Sequence, residues 1–229
     1  MRFLCVLIVG LSLAAPAMAQ TPDRAITVTA RAEVQAEPDL ATLTLGVEAT
    51  AKTAAAAMAQ ASDSTAAVLD YLAEAGVEKA DMQTSQLSLN PIWSNYSASN
   101  PTRRIDGFAA SNMVTVRVRD LDSLGRVLDQ VIQKGANSFR GLSFGLQNPD
   151  PLMDQARIEA VQEARRKAEL YAQAAGVTLG PLVSLSEAGN VVPQPMMMME
   201  AARMSADVPI AMGEVGISAG VTLVFEITP

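Results

Sequence analysis

Beyond an apolar leader, the chain opens with a two-residue alternation. In "AITVTARAEV", Ile26, Val28 and Ala30 fall on one side and Thr27, Thr29 and Arg31 on the other. That period predicts a strand with one buried face. "AEPD" (36–39) reads as a turn, because Pro38 cannot donate to a ladder. "LATLTLGVEAT" resumes the alternation, with Leu43, Leu45 and Val47 opposed to Thr42, Thr44 and Glu48. The two segments are therefore expected to be neighbouring strands.

Over 53–75 the period becomes helical, carried by Met58, Ala61, Thr65, Val68, Leu69 and Leu72, and Gly76 suits the position after the last turn. "MQTSQLSLNP" alternates again, with Leu87 and Leu89 facing one way. Residues 91–107, "PIWSNYSASNPTRRIDG", keep neither period and predict a long surface loop or the turn of an extended hairpin. Trp93 and Tyr96 within it are interface candidates, since aromatic residues are enriched where protein surfaces meet.

The pattern then repeats. Val114, Val116 and Val118 alternate with Thr115, Arg117 and Arg119, a helical stripe follows at Leu124, Val127, Leu128, Val131 and Ile132, and "SFRGLSFGLQNP" returns to period two. A third and longest helix is expected to start at Asp150 as N-cap with Pro151 at N1, and to end at Gly176. Its stripe of Met153, Ala156, Ala160, Val161, Ala164, Ala168, Tyr171 and Ala175 is rich in alanine, which permits close approach to a sheet. "GPLVSLSEAG" and "EVGISAGVTLVFEIT" supply the last strands.

The pattern thus predicts an α+β fold in which antiparallel sheets pack against three helices: two strand–helix–strand units, a long third helix and C-terminal strands. It fits one domain over 20–229, or two intimately packed subdomains at about 24–106 and 107–229.

Composition changes this picture at the N-terminus. Arg2, the apolar run "FLCVLIVGLSL" and small residues at Ala17 and Ala19 predict a signal peptide over 1–19, cut after Ala19, and hence export. The run is too short to be a transmembrane helix, which takes about 20 apolar residues. The formal net charge is −7, and loss of Arg2 makes it one unit more negative. An acidic chain has no general attraction for nucleic acid. Histidine is absent, and the single cysteine, Cys5, lies in the leader. The commonest general base and the ligands of His/Cys zinc sites are therefore missing.

Few chemical candidates remain. "PQPMMMMEAARM" (193–204) brings soft thioether sulfur at Met196, Met197, Met198, Met199 and Met204, which suits monovalent copper. Contiguous methionines diverge, however, and no other ligand type accompanies them. An adaptable apolar contact surface is the favoured reading, with Met197 and Met199 as interface candidates and neither metal nor cofactor expected. A binding module for copper or a small ligand is the alternative. "GLSFG" (141–145) matches the nucleophile elbow, but Ser143 lies in an alternating strand of a chain without histidine, so serine hydrolysis is disfavoured. Arg117 and Arg119 offer a site for an anionic ligand, but pairing with acidic neighbours or lining a wet sheet face is the favoured reading.

"GFAASNMVTVRVRDLDSLGRVLDQVIQKGAN" (107–137) and "ARIEAVQEARRKAELYAQAAGVTLGPLVSLSEAG" resemble the SIMPL-domain family of bacterial exported proteins. "ITVTARAEVQAEPDLATLTLGVEAT" and "TSQLSLNPIW" match its opening and its middle strand. Within that family the chain is similar to periplasmic immunogenic antigens and oxidative-stress-defence proteins. The resemblance implies an α+β protein without established catalytic residues that self-assembles into a homo-oligomer, a large ring in at least one antigen. A non-enzymatic role in envelope or oxidative-stress homeostasis is the expectation that follows.

Overall fold

A computed structural model describes residues 24–94, 103–188, 194–196 and 210–229. Among the described residues, two antiparallel sheets and three helices make up the fold, as the α+β pattern predicts. The strands are β1 (Ala25–Ala36), β2 (Leu40–Ala51), β3 (Met82–Trp93), β4 (Ile105–Val118), β5 (Ser138–Gly145), β6 (Thr178–Ala188), β7 (Gln194–Met196) and β8 (Glu214–Thr228). The helices are α1 (Ala54–Glu74), α2 (Leu124–Gln133) and α3 (Asp150–Ala175).

One sheet runs β3-β4-β2-β5 and comprises the two strand–helix–strand units, β2-α1-β3 and β4-α2-β5. Each unit inserts its first strand at the centre and its last at an edge. Leu43 and Leu45 on β2 stand opposite Val116 and Val114 on β4. All four are buried together with Val68 and Leu72 of α1 and Leu124, Val127 and Val131 of α2. Full burial of side chains of this size contributes about 1.5–3 kcal/mol each. Thr53 caps α1 by accepting the Ala56 N–H at 3.2 Å, and Gly76 takes a positive φ of 90° after the last turn. On α2 the expected stripe holds at Leu124, Val127, Leu128 and Val131, whereas Ile132 is exposed.

The other sheet runs β1-β8-β6, with β7 also paired to β8. β1 takes one side of β8 from Val215 to Glu226, so β7, which meets Glu214–Gly216, must continue the side occupied by β6. Val28, Ala30, Val221, Leu223 and Phe225 form a core with Ala160, Ala164 and Ala168 of α3. The buried residues of α3 are Ala156, Ala160, Ala164, Ala168 and Ala172, one every fourth position. Expected stripe members Tyr171 and Ala175 lie on the exposed surface. Alanine at each contact leaves room for the helix backbone to settle onto the sheet. The helix begins at Asp150 with Pro149 as its cap, one residue earlier than the sequence suggests, and Gly176 ends it at φ 69°.

The connection at 36–39 also departs from expectation. β1 and β2 are not paired: β1 belongs with β8, and β2 lies between β4 and β5. "AEPD" therefore carries the chain from one sheet to the other. Local alternation indicates which face of a strand is buried, but not which strand lies beside it.

Candidate functional site

The densest polar constellation centres on Asp81, which closes a short 3-10 turn before β3 and is 3% exposed. A carboxylate so sheltered needs partners that match its charge. Arg119 grips it bidentately, Nε to Oδ2 at 2.7 Å and Nη2 to Oδ1 at 3.0 Å. Arg117 adds Nε to Oδ1 at 3.0 Å and donates Nη2 to the Ala80 carbonyl at 3.2 Å. Both arginines project from the end of β4, where alternation puts them on the face opposite Val116 and Val118. The Arg119 hydrogen bond holds the Asp81 carboxyl below its ordinary value of 3.8; burial opposes this, and both guanidinium charges reinforce it.

The clamp extends further. Arg119 Nη1 donates to Gln147 Oε1 at 2.9 Å. Gln147 in turn donates its backbone N–H to Asp39 Oδ1 at 2.6 Å and its Nε2 to the Asp39 carbonyl at 2.8 Å. One chain of hydrogen bonds thus ties the sheet-crossing segment at Asp39, the connection before α3, the end of β4 and the start of β3. A cavity of about 130 Å³ opens beside it, lined by Glu78, Asp120 and Ser123 among others. With both guanidiniums turned onto Asp81 and two further carboxylates on the walls, this arrangement locks the fold and is poorly suited to holding an anion.

Among the described residues no group of three or more His, Cys, Asp or Glu side chains is placed to hold a metal ion. Ser143 sits exposed within β5 opposite Thr42, in extended backbone without the strand-to-helix turn an elbow requires. Arg157, Arg165, Arg166 and Lys167 on α3 pair with Asp154, Glu187, Glu169 and Glu163 in surface ion pairs. Met196 lies in β7, while Met197, Met198, Met199, Met204 and Tyr96 fall outside the described residues.

Large apolar groups gather instead on sheet edges. β3 ends its sheet and exposes Leu87, Leu89, Ile92 and Trp93, joined by Ile105 opposite Trp93 on β4. Strand structure therefore reaches into both ends of the segment expected to be a loop. β6 exposes Leu182, Val183 and Leu185. Sequence alternation marks Leu87 and Leu89 as one face, and that face is the one shared with Asn112 and Ala110 on β4. It does not reveal that β3 lies at the edge, where they remain 58% and 40% exposed. A legible sign was the complete lack of charged residues from Met82 to Trp93.

Comparison with known proteins bears on this arrangement. The model of the family SIMPL, described as a protein of unknown function (DUF541), matches residues 26–225. The chain belongs to that family. The 26 kDa periplasmic immunogenic protein of Brucella melitensis is 36% identical over 239 aligned residues, covering 98% of this chain and 95% of the relative. The uncharacterized protein YggE of Escherichia coli K12 is 31% identical over 227 residues, covering 97% and 91%. YggE of Edwardsiella ictaluri is 35% identical over 201 residues, covering 87% and 83%. Among the described residues no helix is long and apolar enough to cross a membrane.

Proposed function

We propose that this SIMPL protein is a non-enzymatic periplasmic component that self-assembles and serves envelope or oxidative-stress homeostasis. The observation that carries the reading is where the molecule keeps its exposed apolar groups. Leu87, Leu89, Ile92 and Trp93 line one sheet edge and Leu182, Val183 and Leu185 another. Unpaired edge amides beside apolar side chains form a template for strand pairing or surface burial. The main charged cluster, at Asp81, is occupied by its own arginines. The leader at 1–19 and the periplasmic name of the Brucella relative support the compartment. Of the 12 methionines, Met1 and Met18 lie in the leader; the other ten support the stress role, because thioethers take up oxidant and the sulfoxide can be reduced again.

Light scattering on a sizing column tests assembly. A mass several times that of one chain is expected, and a monomer at micromolar concentration overturns the assembly reading. Survival of peroxide by cells lacking the chain tests the stress role. Survival equal to that of the parent strain counts against it.

A further inference from the structure

We infer that β3 is a self-pairing edge: two copies of the chain join by antiparallel β3–β3 pairing about a two-fold axis through Ser88, giving one sheet continuous across both. This rests on the self-assembly reading and specifies its contact.

The backbone decides which groups are free. Pro91 lies in β3 opposite Phe108, and a proline without an N–H is tolerated where that position faces away from the ladder. Ser94 confirms the phase, since its N–H donates inward to the Arg104 carbonyl at 2.8 Å. The register shift between them leaves the extra residue, Asp106, on β4, so the phase of β3 is unbroken. Even-numbered residues from Gln86 to Ser94 thus bond to β4, and Leu87, Leu89 and Pro91 turn outward backbone groups that are unpaired among the described residues.

Self-complementarity follows from that phase. With the axis at Ser88, Leu87 of one copy faces Leu89 of the other, and each pair exchanges both N–H and C=O. The four leucine side chains fall on one face, extending the face that α1 covers over β2 and β4, and there they bury each other. Charge selects this strand. The other long edge strands carry Arg31 and Glu33 on β1, Arg140 on β5 and Glu187 on β6. In an acidic protein, a strand without charge can meet its own copy without repulsion. An isologous contact requires the same patch to fit itself, and β3 does.

Two experiments decide it. Leu87→Lys/Leu89→Lys places like charges directly across the axis at positions already exposed. An about twofold or greater fall in mass is expected, since the contact joins copies in pairs, with circular dichroism unchanged. Ser88→Cys in a Cys5→Ser chain is the second. Residues on the axis form a non-hydrogen-bonded pair about 4.5 Å apart between Cα atoms, within disulfide reach. Mild oxidation should link two chains, whereas Gln86→Cys and Asn90→Cys should link only when mixed. A wild-type oligomer that keeps its mass in the lysine variant, with Ser88→Cys unlinked, places the contact elsewhere, β6 included, and overturns β3 pairing alone. A wild-type monomer overturns assembly as well.

Discussion

Asp81 and Arg119 meet in a bidentate ion pair at 2.7 and 3.0 Å, with the carboxylate almost fully sheltered and the guanidinium about half exposed. The asymmetry decides what each partner risks. Arg119 can return to water, while Asp81 cannot without loosening the turn that starts β3. Arg119→Gln should therefore lower stability, because it takes two hydrogen bonds from a sheltered carboxylate that has little access to water. Arg117→Gln, which removes one contact to the carboxylate, should cost less. Urea unfolding of the three proteins checks the order.

The same pair makes stability depend on acid. Asp81 has a folded pKa below its ordinary 3.8, mainly through Arg119. As pH falls through about 3.8 the unfolded chain binds the proton first, so stability present above that pH is lost as it approaches the lower folded value. Unfolding free energy measured from pH 6 down to pH 2 should drop below pH 4. Asp81→Asn should be less stable at pH 6 and should flatten that drop.

Gly46 and Met113 offer a sterically sharper test. A Cβ at Gly46 would strike the Asn112 carbonyl oxygen and lie 2.6 Å from Met113 Sδ and 2.9 Å from Met113 Cα. Two of the three are backbone atoms of β4, so rotamer changes cannot relieve the crowding. Gly46→Ala should destabilise by about 1–3 kcal/mol or more, as overpacking does. Gly141→Ala on β5, where a new Cβ meets nothing within 4 Å, should be close to neutral. Thermal melts of the pair separate crowding from any general effect of replacing a strand glycine.

How far the sequence discloses this molecule varies by level. Period-two and helical spacing locate the strands and helices well: Thr65, Val68 and Leu72 face inward on α1 as expected, and Gly76, Gly135 and Gly176 all take positive φ after helices. Pairing across long separations is not legible. Nothing near Ala25 indicates a partner at Glu226, so β1 and β2 look like neighbours when they lie in different sheets. The same limit hid the candidate site. Arg117 and Arg119 were recognisable as a pair seeking acid, but Asp81 lies far back along the chain, beyond β3. Tyr171 differs for a local reason: an alanine every fourth residue drifts around the helix, and by residue 171 the buried line has moved to Ala172.

Methionine oxidation gives a prediction that joins structure to the stress role. Met113 on β4 is 1% exposed and lies against Gly46, whereas Met212 is 42% exposed before β8. Oxidant reaches thioethers in order of access. Peptide mapping after brief peroxide treatment should find sulfoxide at Met212 while Met113 stays reduced, with the fold intact by circular dichroism. Restoration of Met212 by methionine sulfoxide reductases, without unfolding, is the behaviour a renewable scavenger needs. Early oxidation of Met113 would mean that its buried site on β4 opens readily, and a core so loosely held could not take up oxidant and stay folded.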